Sequence, residues 1–268
     1  MNRLLRICLL ARLATMTAAT ALGQAAGGAR DFQVVRAEPQ RANGPTRFFL
    51  ETIRGTERSN NSLNRLSIVS ADQRNYPTPE SGCGPTAMLN ILVWYEKYGL
   101  LTPFNRNAHL ATYKRALFNE IDRRLTEQAG IARTAERGAN SAGVAIVMDR
   151  ILQERSQGQL RMHTEYIQAP LQLADLLATM PNFRSGYVSV LPKDPLTGKL
   201  RRHHAATLIR ADRAGYITLA TWGELYRGLL KTRPDGQWFI PQDPAQLELK
   251  VTGLTRFIPF KPTTAADR

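Results

Sequence analysis

The sequence predicts an α+β fold, with helices first and an antiparallel β-sheet second. Three observations predict it. Between residues 84 and 152 apolar residues recur at intervals of three and four; after residue 160 the pattern shifts towards strands; and turn signals separate two pairs of the later runs, at 192–198 and 212–215. The chain of 268 residues has room for one large domain or two small ones, and its 43% hydrophobic content suffices for a core. No apolar run reaches the roughly 18 residues that a membrane span needs, which excludes a multi-spanning membrane protein.

Residues 1–28 read as a secretory signal, so export to a periplasmic or extracellular location is expected. Arg3, Arg6 and Arg12 supply the positive start, 13–23 the apolar stretch, and Ala21, Gly23 and Ala25 the small residues of a cleavage point. Residues 29–75 are polar and broken by Pro39, Pro45 and Ser59-Asn60-Asn61-Ser62, the mark of an extended arm or small subdomain. The main body is expected over 76–262, followed by a disordered tail at 263–268.

Within that body Gly84-Pro85 precedes 86–98, apolar on nearly every face, and Gly99 follows. Proline suits a first helical turn and glycine the position past the end, so a buried central helix is expected. A second helix is predicted over 108–128, where Leu110, Tyr113, Leu117, Ile121 and Leu125 share a face. A third follows Asn140 or Ser141 as cap, with Val144, Val147, Met148, Ile151 and Leu152 on one side. Strands are predicted at 161–167, 186–191, 200–210, 216–222 and 247–260, with a short helix at 171–180.

Charge is less informative. There are 36 Lys+Arg against 22 Asp+Glu, a net +14 that falls to +11 once the three signal arginines leave. The excess is scattered, without a patch of interleaved aromatics, so nucleic acid is not the expected partner. An anionic cell-envelope polymer would suit such a surface.

Cys8 and Cys83 are the only cysteines, and His109, His163, His203 and His204 the only histidines, too few for a disulfide scaffold or a Cys-rich zinc module. No His-Glu-x-x-His and no phosphate-binding glycine loop is present, so no metal or cofactor is expected. Signal cleavage removes Cys8 and leaves Cys83 as the single thiol. A lone thiol in an oxidising compartment is a liability unless buried or used.

Cys83 stands at the start of the most hydrophobic helix, after Ser81-Gly82. The helix dipole and unpaired N–H groups there favour a thiolate, and the same donors can face a developing oxyanion. A base is also needed. His109 and His163 have ordinary polar settings, whereas His203 and His204 open the run Ala205-Ala206-Thr207-Leu208-Ile209. Strand alternation sends the two rings to opposite faces, so only one can meet Cys83. Pairing across the 212–214 turn puts His204 opposite Thr221 or Trp222 and near Ala220. Trp94 and Trp238, like Trp222, read as core or site-wall residues.

The segment Ser81-Gly82-Cys83-Gly84-Pro85-Thr86-Ala87-Met88 resembles the nucleophile segment of bacterial double-glycine-type peptidases, a branch of the papain-like cysteine peptidases. His204-Ala205 and the segment from Gly215 through Ala220-Thr221-Trp222-Gly223 are similar to that superfamily's His-Ala strand and Asn-Ser-Trp-Gly segment. The resemblance spans residues 76–224. It implies a papain-like fold, with the cysteine on a central helix packed against the C-terminal sheet. It also implies a peptide or protein substrate, Cys83 as nucleophile and His204 as its base. Two departures stand out. Ala220 takes the place of the Asn or Asp that orients the histidine, leaving Thr221, Trp222, Thr218 or Glu224 to substitute. The oxyanion glutamine would fall near Pro77, where Gln73, Asn75 and Glu80 are the nearby polar residues. Three readings follow: an exported cysteine peptidase-like hydrolase; a cell-wall peptide amidase or endopeptidase with the same dyad; and a degenerate module that only binds.

Overall fold

The computed structural model describes residues 70–262 except 98, 102–109 and 182. The expected signal, most of the polar arm, His109 and the tail lie outside the described residues. Four helices come first or intervene: α1 (Cys83–Lys97), α2 (Leu110–Ala129), α3 (Ser141–Arg155) and the short α4 (Leu173–Ala178). Pro85 sits in the first turn of α1, where an N–H would lack a helical partner anyway. Asn140 caps α3 by accepting from the Gly143 amide at 2.8 Å. The strands are β1 (Arg161–Gln168), β2 (Ser185–Pro192), β3 (His204–Ala211), β4 (Tyr216–Thr221), β5 (Glu224–Arg233), β6 (Gly236–Pro241) and β7 (Leu249–Phe260).

The sheet corrects the expected papain-like α+β fold, in which helices pack on a C-terminal antiparallel sheet. The strands run β1-β7-β2-β3-β4-β5-β6, and β6 pairs again with β7 through Trp238↔Lys250 and Phe239↔Leu249. Six antiparallel strands therefore close into a barrel, and β1 lies outside it on β7. Closure depends on β5 and β6, neither of which the sequence pattern announces. It also depends on the length of β7, whose Leu249–Lys250 end meets β6 while its Gly253–Phe260 portion meets β1. At Gly253 a Cβ would lie 2.6 Å from the Tyr166 hydroxyl and 2.9 Å from the Ile167 carbonyl oxygen, so only glycine lets these strands approach.

Two cores result. Val188, Val190, Ala206, Leu208, Ile217, Leu219, Phe239 and Leu254 are buried together with other side chains of the barrel strands. The second lies between the helices and the barrel wall: Met88, Leu92, Trp94 and Tyr95 of α1 pack with Leu117, Phe118, Val147 and Met148, and with Tyr187, Ile209, Ala220 and Phe257 from the strands. Strand β3 thus shows two faces, with Ala206 and Leu208 inward and Ala205 and Ile209 towards the helices. Buried Asn90 of α1 ties this layer together. Its Oδ1 accepts from the Ala71 amide at 3.0 Å, and its Nδ2 donates to Thr207 Oγ1 at 3.2 Å. Among the described residues no helix is long and apolar enough to cross a membrane.

Candidate functional site

The start of α1 and the start of β3 meet. Cys83 is half-buried, and its sulfur lies within reach of the amides of Ala205, Gly84 and Cys83 itself. Ala205 follows His204 directly, so the thiol rests one peptide bond from the histidine backbone. Burial pushes the Cys83 thiol up from its ordinary value, and the amides together with the positive field of Arg133 only partly oppose this. The expected helix-start depression is therefore outweighed by desolvation, and the resting sulfur is a neutral thiol.

The His204 ring is buried at the end of the barrel where β4 turns into β5. Its Nε2 is hydrogen-bonded to Thr221 Oγ1, and it stacks on Trp222 with centroids 4.1 Å apart and planes 15° from parallel. Desolvation lowers its pKa to about 3, so the ring is neutral. Among the described residues no hydrogen bond joins either His203 or His204 to Cys83. His203 is exposed. His163 is also largely exposed and lies 3.5 Å from Glu165.

Trp222 reaches its place through an uncommon backbone. It has φ 48° and Gly223 φ 82°, which makes the two residues between paired Thr221 and Glu224 a turn with both φ values positive. Glycine adopts this conformation freely, but a bulky side chain there costs on the order of 1–2 kcal/mol. The indole stack on His204 is what that conformation provides. A Cβ on Gly223 would sit 3.3 Å from Asp72 Cβ, so the chain entering the body passes close to this turn.

Ala220, in the place of the orienting residue, pairs with Thr207 and faces the helix-side core. Thr221, one position later, makes the contact to the ring. A hydroxyl both donates and accepts, so unlike a carboxylate it does not impose one imidazole tautomer. Thr218 is buried and pairs with Arg210, and Glu224 is exposed on the far side of the turn.

Of the oxyanion candidates, Gln73 lies against the nucleophile segment: a Cβ on Gly82 would be 3.4 Å from Gln73 Cβ. Its Nε2 donates to the Pro79 carbonyl at 2.7 Å, which commits one of its two amide hydrogens. Asn75 and Glu80 are exposed. The residue that sequence reasoning missed is Arg133, whose guanidinium joins Asp122 to the turn preceding Cys83. Its partners lie 11 and more than 50 positions away, and no local pattern signals them.

Clefts of 190 Å³ between α2 and α3 and 340 Å³ beside Pro170 and Gly236 do not include Cys83. Among the described residues no cluster of His, Cys, Asp and Glu could hold a metal ion. No protein-family model matches the chain, and no curated protein matches it either.

Proposed function

We propose that this protein is a cysteine hydrolase that opens a peptide or amide bond through a thioester on Cys83, with His204 as base. The observation that carries the reading is the approach of a half-buried helix-start thiol to the amide of Ala205, the residue next to His204, whose ring is held by Thr221 and Trp222. The His204 ring rests on the barrel face of β3 with Ala206 and Leu208, so in the reaction it must turn towards the helix face to take the thiol proton as sulfur attacks the carbonyl carbon. The oxyanion meets the Cys83 and Gly84 amides, which at rest face the sulfur, the protonated ring returns its proton to the leaving amine, and water then hydrolyses the thioester. Because thiol and ring both rest neutral, proton transfer accompanies attack, as in serine hydrolases, and does not precede it.

A second reading, a peptidase-like module that binds without cleaving, is favoured by the same neutrality and by a ring that, among the described residues, is held by a threonine hydroxyl and not by a carboxylate or carboxamide. Incubation with a diverse peptide mixture, with mass detection of an acylated Cys83 and with Cys83→Ala as control, separates the two. Products that require Cys83 support hydrolysis; saturable binding with no product and no acyl adduct leaves the binding module.

A further inference from the structure

We propose that Arg133, clamped by Asp122, is the positioning residue for Cys83: it holds the 77–81 turn that delivers the thiol and supplies the positive field there. The assignment rests on the hydrolase reading for its purpose, but its geometry is independent of it.

The Arg133 side chain is 1% exposed. Its Nε and Nη2 form a bidentate pair with the Asp122 carboxylate of α2, at 2.5 and 3.1 Å. Its remaining donors reach the segment before the nucleophile: Nη1 to the Thr78 carbonyl and Ser81 Oγ, both at 3.2 Å, and Nη2 to the Pro77 carbonyl at 3.1 Å. The guanidinium also covers the Phe118 ring at 5.2 Å, and Phe118 stacks on Tyr76 at 4.4 Å. Three anchors of the turn, at Pro77, Thr78 and Ser81, therefore refer back to α2 through one arginine, while Tyr76 meets Phe118 of α2 directly. Thr78 has φ 52°, a left-handed conformation that an isolated threonine avoids, and Arg133 holds its carbonyl. Two residues beyond Ser81 stands Cys83.

A lysine could not replace this fork, having one charged nitrogen for five contacts. The charge matters as well as the shape, because Arg133 favours the Cys83 thiolate. The other titratable groups on the elements around Cys83 are Tyr187 of β2, which feels the Cys83 charge, His204 of β3, Asp122 of α2 against Arg133, and exposed Glu80 of the turn itself.

The test follows iodoacetamide alkylation of Cys83 between pH 6 and 11 in the whole protein, wild type against Arg133→Met and Asp122→Asn. Both variants loosen the clamp, so a purely structural role moves the titration midpoint the same way in both. Positioning with a field moves it in opposite directions. Arg133→Met raises the midpoint by about one unit, slowing alkylation about tenfold at neutral pH, and Asp122→Asn lowers it by unmasking the guanidinium. Shifts of the same sign, or an unmoved midpoint in Asp122→Asn, overturn the proposal. If Arg133→Met does not fold, the direction in Asp122→Asn decides alone. Peptide hydrolysis by wild type is scored separately: opposite shifts without any hydrolysis keep the clamp and remove the hydrolase reading.

Discussion

The neutral state of His204 predicts a stability slope of defined sign. A histidine in the unfolded chain titrates near pH 6.5, whereas the folded ring, desolvated between Trp222 and the barrel end, holds out to about 3. As pH falls the unfolded chain therefore takes up the proton first. The contribution is fully present above pH 6.5, erodes steadily below it, and is exhausted at about pH 3. Each pH unit in that window costs about 1.4 kcal/mol, so lowering the pH from 6.5 to 5 removes about 2 kcal/mol through this one group. Carboxylates do not interfere above pH 5, since those with resolved shifts, such as Glu165 and Asp194, are lowered. The assay is urea denaturation at half-unit steps between pH 7.5 and 5, wild type against His204→Asn. The difference between the two curves should carry a slope of one proton. A thiolate–imidazolium pair would reverse the sign, because the folded ring would then keep its proton above pH 6.5 and stability would be lost on raising the pH. Parallel curves would refute the reasoning by showing that the native ring titrates like a solvated one.

Three further substitutions probe the parts that assemble the site. Thr221→Val leaves a buried ring nitrogen unpaired and should cost about 1–3 kcal/mol in chemical denaturation, with Cys83 alkylation altered as well; a neutral result would mean that Trp222 alone fixes the ring. Asn90→Leu orphans the buried Ala71 amide and the Thr207 hydroxyl, and about 2 kcal/mol should be lost together with protection of residues 70–76 from proteolysis. At Gly228 an added Cβ would come within 2.2 Å of the Ile240 carbonyl oxygen, so Gly228→Ala should destabilise by about 2–4 kcal/mol through the β5–β6 pair that closes the barrel. A loss below about 0.5 kcal/mol would place β6 elsewhere.

What the sequence made legible, and what it hid, follows from the range of the interactions. The long helices are visible because Leu117, Ile121 and Leu125, or Val144, Val147 and Ile151, answer to a single buried direction. Strand β5 answers to none. Only Tyr226 and Gly228 of its ten residues are buried, and charged Glu224, Arg227, Lys231 and Arg233 punctuate it. Its partner β6 is six residues long and begins on the Gly236 of a Pro-Asp-Gly turn. Without those two strands the remaining runs describe an open sheet under helices, and the closed barrel is invisible. The site divides similarly. Cys83 and His204 stand out by local setting, and the role of Thr221 depends on a register that includes an irregularity between Leu208 and Arg210. The Arg133 clamp has no local signature at all.

The β4–β5 turn also explains why the site rests as it does. Without it the His204 ring would meet water at the start of β3. Here the β4–β5 turn folds Trp222 over it, and the cost of hydrating a cation in that place drives the ring neutral. The thiol is raised by the same exclusion of water, and among the described residues the positive charge that opposes this is Arg133, behind the 77–81 turn. Neither partner can activate the other at rest, and a threonine hydroxyl leaves the ring free to hold either tautomer. Any catalysis must therefore come from substrate displacing the balance. A carbonyl seated against the Cys83 and Gly84 amides lets charge develop on its oxygen at the moment the proton reaches the ring, so the arriving cation and the departing thiol charge are never both uncompensated.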